Sequence, residues 1–290
     1  MLKNLLINFI CDLLRRRTTY RLGRAMYLYA RGDTINNMKI NGEMLVQSGV
    51  LAAWKKNLTT TSRLTIFDVG ANIGEWSSAM LDGLRKHKLV METNLFAFEP
   101  VPSTAETLKR NLPTNETCLH IEEMALSSSN GAVEIYFAGS NSGTNSLYAD
   151  SISGKKQSTI IKQTTAIQFC KERDIQHIHL LKCDTEGHDM EVIRGALPLL
   201  QEERISILQF EYNHRWIYSR NFFRDVFLIV DILPYKIVKL QPNYLLVFEK
   251  WHPELDKFFE GNYALIHYDA LDWFTTKQGI FDDTNSLRVI

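Results

Sequence analysis

No apolar stretch in this 290-residue chain approaches the ~18 residues that a membrane-crossing helix requires. Neither charge sign is in excess: 33 Lys and Arg balance 33 Asp and Glu. No global field therefore draws in nucleic acid, which weakens RNA or DNA as a substrate. Cysteine is sparse, and Cys11, Cys118, Cys170 and Cys183 form no CxxC pair and no metal-ligand spacing. They read as reduced thiols, most of them core residues in a reducing compartment. Missing too are internal repeats, low-complexity segments, a GxxxxGK[ST] phosphate loop and the [ND]PP[YF] tetrapeptide of adenine and cytosine amino methylases.

What is present is ordinary globular composition, 45% hydrophobic and 23% charged, with one informative stretch. Leu64-Thr-Ile-Phe67 reads as a buried strand running into Asp68-Val-Gly-Ala-Asn-Ile-Gly-Glu-Trp-Ser77. Gly70 and Gly74 make a tight strand-to-helix turn that lets the backbone approach a ligand. A second apolar run, Leu95-Phe-Ala-Phe98, ends in Glu99-Pro100. A carboxylate at that strand end can take both hydroxyls of a ribose. A nicotinamide dinucleotide favours GxGxxG, and the middle and third glycines are missing here. The remaining common ligand is S-adenosylmethionine, whose amino acid end has no diphosphate to cradle. In that reading Asp68 anchors the turn or the ligand ammonium, Asn72 supplies a polar contact and Glu99 holds the ribose.

From residue 63 the pattern alternates strand and helix, which argues for an α/β doubly wound sheet. Strands are expected at 64–69, 94–99, 118–124, 131–137, 178–184 and 205–211, with helices near 74–86, 103–111, 190–200 and 219–231. Tyr235–Leu240 and Tyr244–Glu249 are joined only by Gln241-Pro-Asn243, a link that permits only an antiparallel hairpin. A parallel sheet finished by one antiparallel strand is the arrangement of Rossmann-like methyltransferases. The division expected is a helical extension over 1–62, a catalytic domain over 63–252 and a tail over 253–290. Thr59–Ser62 is a polar link, and Ser140–Ser146 a small-residue loop that could close over an acceptor. At the start, Asn8 and Asp12 interrupt the apolar run and Arg15, Arg16 and Arg17 follow it, unlike a signal peptide. An amphipathic helix that packs on the body or a partner is expected, with weak peripheral membrane contact through those arginines as the alternative. The location expected is cytoplasmic.

Later motifs make a resemblance specific. Leu180-Leu-Lys-Cys-Asp-Thr-Glu-Gly-His-Asp-Met-Glu-Val-Ile-Arg-Gly-Ala196 resembles the FkbM family of S-adenosylmethionine-dependent methyltransferases, in which LKxDxEGxE runs into a helix ending LxGA. The same pattern fits Asp68–Gly74, Phe98-Glu-Pro100, Met124-Ala-Leu-Ser127 followed by Gly131, Gln209-Phe-Glu-Tyr212 and, upstream, Asn41-Gly-Glu43. Cys183 and Asp189 depart slightly from it. The resemblance implies a Rossmann-like class I methyltransferase fold, with a mostly parallel seven-stranded sheet and a C-terminal antiparallel hairpin. It further implies S-adenosylmethionine as cofactor and O-methylation of a hydroxyl on a saccharide or natural product.

In open α/β sheets the ligand lies outside the carboxyl ends of the strands. That rule gathers Asp184, Glu186, His188, Glu211 and His214 around one crevice. His188 is the first candidate base, because its ordinary pKa lies near working pH, with Asp184 or Glu186 orienting it or binding acceptor hydroxyls. Glu123, Met124 and Ala125 are expected to line the adenine pocket, and Trp76, Tyr212 and Trp216 are possible stacking platforms. Glu186 and His188 could equally cap the following helix, and His177 and His179 read as sheet-face residues. The acidic spacing matches no standard zinc motif, so no metal is expected. The competing readings are an N-methyltransferase on another small molecule or macromolecule, and a non-catalytic cofactor-binding relative.

Overall fold

The structure is a computed structural model. It describes residues 5, 7, 11, 12, 14–33, 35–56, 63–113, 115–137, 145–152 and 156–290. The link at 59–62 and residues 140–144 of the small-residue loop lie outside the described residues, and the start of the chain is described only in part.

Strand β1 (Leu64–Val69) is buried along its whole length. Leu64 and Ile66 enter one core while Phe67 and Val69 enter the other, so a two-residue repeat feeds both faces. Helix α3 (Glu75–His87) follows the glycine turn and buries Trp76, Met80, Leu81 and Leu84, one apolar stripe at helical spacing. Arg85, Lys86 and His87 sit in its last turn, where cations complement the helix dipole, and Lys88 closes it in a left-handed conformation. Strand β2 (Thr93–Phe98) and helix α4 (Pro102–Asn111) repeat the unit, with Pro102 pre-set for the first helical turn.

Next come β3 (Leu119–Glu122), β4 (Ala125–Leu126), β5 (Gly131–Phe137), β6 (Gln157–Thr164) and α5 (Ala166–Glu172). They lead into β7 (Leu180–Cys183), α6 (Asp189–Gln201), β8 (Ile207–Tyr212) and α7 (Phe223–Val230). The chain ends through β9 (Tyr235–Leu240), β10 (Leu245–Phe248), β11 (Gly261–His267), α8 (Tyr268–Leu271), β12 (Thr276–Phe281) and β13 (Leu287–Val289). Upstream of β1 stand α1 (Arg16–Ala30) and α2 (Glu43–Lys56).

The main sheet has the order β13-β12-β10-β9-β11-β8-β7-β1-β2-β3. Its half from β8 to β3 is parallel throughout, as in Rossmann-like methyltransferases. The expected hairpin exists, β9 pairing antiparallel with β10. The antiparallel strand that completes the methyltransferase order is nevertheless β11, which lies between β8 and β9 and opposes both. Two expectations therefore need correction. Among the described residues the sheet has ten strands instead of seven, and residues 253–290 are no tail, because they supply β11, β12 and β13. Tyr263, Ala264, Leu265 and Ile266 are buried, so β11 is held by the core as well as by its two ladders.

Helix α2 likewise belongs to the body: Val46, Val50 and Leu51 join the core cluster of Leu64, Ile66 and Met80. A separate sheet of order β4-β6-β5 stands at the β3 end and carries the small cluster Val101, Ile135 and Ile161.

Candidate active site

The glycine turn is fixed by what lies behind it. Gly70 has φ 79°, and a Cβ there would come within 2.0 Å of the Asp184 carbonyl oxygen, so only glycine lets the turn reach the β7 end. Asp68 is fully buried and accepts a hydrogen bond from Ser77 Oγ at 2.7 Å, tying the strand to α3. Its other oxygen lies 3.2 Å from Lys182 Nζ, and the same ammonium is 3.7 Å from Asp184. Burial alone would push the Lys182 pKa down, but Asp68, Asp184 and Glu43 outweigh it and keep the lysine charged. Asp68 therefore serves as the anchor of the turn, and it lines neither cavity described below. Gly74, at φ 93°, begins α3 against Leu108 and Leu112 and lines neither cavity.

Two cavities open at the carboxyl ends of the strands. The first is walled by Gly70, Asn72, Glu99, Met124, Ala125 and Asp184 and roofed by Ile135 and Ile161 from the small sheet and by Leu147 from the segment between β5 and β6. Met124 and Ala125 thus stand where an adenine pocket was expected. Glu99 accepts hydrogen bonds from the backbone N–H of Asn72 and of Val101, each at 3.0 Å. Two of the roughly four acceptor positions of a carboxylate are filled this way, which leaves two for ribose hydroxyls. Burial pushes its pKa up to about 7, against the opposing pull of those two amides.

The second cavity shares Gly70, Asn72 and Asp184 with the first and adds Asn36, Lys39, Glu43, Trp76 and Lys182. Asn72 Oδ1 and Trp76 Nε1 are buried with no hydrogen-bond partner among the described residues. An orphaned acceptor and an orphaned donor on that wall fit an amino acid end that brings both an ammonium and a carboxylate. The residues therefore suit S-adenosylmethionine: Glu99, Met124 and Ala125 for the adenosine, Asn72 and Trp76 for the methionine.

Asp184, Glu186 and Glu211 converge where β7 and β8 end, each offering an oxygen within 4.8 Å of the others. Such a triad could ligate a divalent cation, but each carboxylate already has a protein partner. Lys182 faces Asp184, Arg215 pairs with Glu186, and Asn36 and Asn213 donate to Glu211. Burial and the neighbouring Asp184 raise the Glu186 pKa to about 8, with Arg215 pulling the other way. Burial and Asp184 also raise Glu211 well above the usual carboxylate range. Buried Asp189 takes the Thr185 hydroxyl and the Glu211 N–H, locking the β7 turn to β8.

His188 lines the first cavity but is not a free base. Its Nε2 lies 3.0 Å from Ser127 Oγ and its Nδ1 3.2 Å from the Tyr148 hydroxyl. Burial pushes its pKa down to about 4, so the ring is neutral and spans two hydroxyls. Glu123 is exposed in an ion pair with Lys109 and lines neither cavity, because the chain turns outward after β3. His214 is exposed at the start of the 3-10 turn 214–217, which swings it away from the crevice. Tyr212 and Trp216 are core residues, Trp216 donating to the Glu211 carbonyl at 2.9 Å, so of the three proposed platforms only Trp76 borders a cavity. His179 accepts from the Thr65 N–H within the sheet, as a sheet-face residue does.

Lys182 carried no role in the reading of the sequence, although a lysine inside an otherwise apolar strand is itself a signal of a buried partner. Ser127 and Tyr148 were silent because their meeting with His188 spans 61 and 40 positions.

The raised Glu186 pKa has a measurable consequence. The folded state holds a proton up to about pH 8 that the unfolded chain releases near its ordinary value of 4.5, so stability falls as pH rises between them. Buried His177, His179 and His188, all pushed down, act oppositely but only below their ordinary value of 6.5. Calorimetry between pH 7 and 8 should therefore find the melting temperature of the wild type falling more steeply than that of Glu186→Gln. Parallel curves would remove the protonated carboxyl.

Comparison with known proteins agrees with the order of these motifs. Residues 68–237 match the model of the methyltransferase FkbM domain. The hexuronic acid methyltransferase AglP of Haloferax volcanii is 30% identical over 146 residues, 50% of this chain and 54% of that protein. Methyltransferase 1 of Beauveria bassiana is 27% identical over 148 residues, 45% of this chain and 57% of that protein. The chain thus spans little more than half the length of these curated relatives. Among solved structures, the METTL16 MTase domain aligns with a TM-score of 0.41 and 9% identity, covering 77% of this chain and 66% of that one. With more than half of its residues matched, and with the glycine turn, Glu99 and Asp184 facing one divided cleft, the chain belongs to the FkbM methyltransferase domain family.

Proposed function

We propose that the protein is an S-adenosylmethionine-dependent methyltransferase that methylates a hydroxyl oxygen of a saccharide acceptor. One observation carries this reading: two cavities, one suited to adenosine and one to a polar partner, meet at Gly70, Asn72 and Asp184. The name of AglP, a methyltransferase for a hexuronic acid, supports a sugar as acceptor class. So does the second cavity, whose Asn36, Asn37, Lys39 and Glu43 offer donors and acceptors suited to a polyhydroxylated ligand.

The cofactor, when bound, supplies a methyl group already activated by a positive sulfur. The protein's task is to exclude water, align the acceptor oxygen and dispose of its proton. Asp184, at the junction of the cavities with a half-exposed side chain, accepts the hydroxyl proton at a carboxylate oxygen. Lys182 holds that carboxylate in place from below. Glu186, protonated below about pH 8, serves as a hydrogen-bond donor to a second acceptor oxygen. Glu211 stays buried behind it, paired with Asn36 and Asn213, and supports the wall. His188 positions Ser127 and Tyr148 against the α6 start instead of taking the proton.

The test is incubation with methyl-labelled S-adenosylmethionine and pools of saccharides and small metabolites, followed by mass spectrometry of the product. Label on a sugar oxygen is the expected result, with the rate unchanged by EDTA because each carboxylate of the triad has a protein partner. Label recovered on nitrogen, in protein or in nucleic acid would overturn the acceptor assignment. A loss of rate restored by magnesium or manganese would make Asp184, Glu186 and Glu211 metal ligands.

A further inference from the structure

Helix α1 is the one long helix, among the described residues, that buries none of its own side chains. It carries Arg16, Arg17, Arg21 and Arg24 and no acidic residue. At 100° per residue, Arg17, Arg21 and Arg24 fall on one arc, spaced i, i+4, i+7. Leu22, Met26 and Tyr29, at the same spacing, fall on another, and they are 50%, 64% and 87% exposed. The helix is tethered through Tyr27 and the adjoining Arg24 edge of the arginine arc. The Arg24 guanidinium lies 5.0 Å over the Phe259 ring, the Tyr27 ring packs edge-on against Phe259, and the Tyr27 hydroxyl donates to Glu254. Tyr27 lies about 140° from Leu22, 160° from Tyr29 and 100° from Met26 around the helix, so the tether turns the apolar stripe away from the body.

Charge is segregated along the same line. The first 30 residues hold six basic and one acidic side chain, which leaves 27 basic and 32 acidic for the other 260. An anionic surface would repel the body and attract this segment alone.

We propose that α1 docks the protein onto a lipid surface with anionic headgroups, lying flat with Leu22, Met26 and Tyr29 in the interface and Arg17 and Arg21 among the headgroups. At 15 residues the helix is about 22 Å long, too short to cross a bilayer and long enough to lie on one. The chain leaving α1 passes through Arg31 and Asp33, which are fixed to Glu254 and Lys239, and reaches Asn36–Lys39 on the wall of the second cavity. Docking therefore places that wall within about 30 Å of the lipid surface.

Flotation of the full chain with vesicles decides the matter. Vesicles of phosphatidylcholine with about a third phosphatidylglycerol should carry the protein, and pure phosphatidylcholine vesicles or high salt should release it. Each arginine at the surface contributes about fivefold, so Arg17→Gln with Arg21→Gln should weaken partitioning ~30-fold. Leu22→Asp with Met26→Asp should abolish it, with the melting temperature unchanged because neither residue is buried. No flotation with anionic vesicles, equal flotation with neutral ones, or full binding by either double variant would overturn the proposal. So would self-association, seen by sedimentation, that the same substitutions relieve.

Discussion

Asp184→Asn should lower turnover by ~10²–10⁴-fold, the contribution of a positioned proton acceptor, while the affinity for S-adenosylhomocysteine stays within about threefold of wild type. The split follows from position. Asp184 stands at the junction of the two cavities, whereas the contacts assigned to adenosine come from Glu99, Met124 and Ala125. The fold should tolerate asparagine, because Lys182 keeps Asp68 at 3.2 Å as its buried counter-charge. Labelled-methyl turnover and calorimetric titration on the same preparation read both quantities. Wild-type turnover in the variant would move the proton acceptor elsewhere in the triad, and Glu186→Gln would then be the informative comparison.

Glu99→Ala carries the second large effect. Its carboxylate organises the backbone N–H groups of Asn72 and Val101, so the substitution orphans two amides as well as removing the acceptor for ribose. Each hydrogen bond to a charged group is worth about 1.5–3 kcal/mol, and 1.4 kcal/mol is tenfold in affinity. Affinity for S-adenosylhomocysteine should therefore fall ~10²-fold. Stability should fall as well, by about 1–3 kcal/mol for each buried amide left unpaired. Glu99→Gln keeps one acceptor oxygen and should lie between. Unchanged affinity in the alanine variant would place the ribose somewhere other than the β2 end.

The parts of the fold that sequence reading recovered are those governed by local signals. The glycine turn, the strand end at Glu99 and the β7 turn each combine an apolar run with a residue whose chemistry has few other uses there. The rest depended on contacts between distant positions. Strand β11, Gly261-Asn-Tyr-Ala-Leu-Ile-His267, sits in the middle of the sheet, yet nothing in seven residues says that it pairs with β8, some fifty positions earlier. Strand β6 was missed for a different reason: it belongs to a small sheet at the surface, with Ile160 67% exposed, so its pattern is too polar to mark it.

The same division runs through the site. Gly70, Asn72, Glu99, Met124, Ala125, Asp184, Glu186 and His188 line the first cavity, as the strand-end rule requires. Glu123 and His214 fail because one further residue of turn carries a side chain outward. His188 has both ring nitrogens engaged by hydroxyls, for a subtler reason. Histidine composition near a crevice is visible in sequence, but the hydroxyls that occupy its nitrogens come from elements the chain reaches much earlier.

The central claim is that the divided cleft between Gly70 and Glu99 was shaped for an S-adenosyl nucleoside, and one titration tests it directly. Calorimetry of the purified chain should show saturable, one-to-one binding of S-adenosylhomocysteine and no heat with NAD. Saturable binding of NAD, with S-adenosylhomocysteine inert, would contradict it.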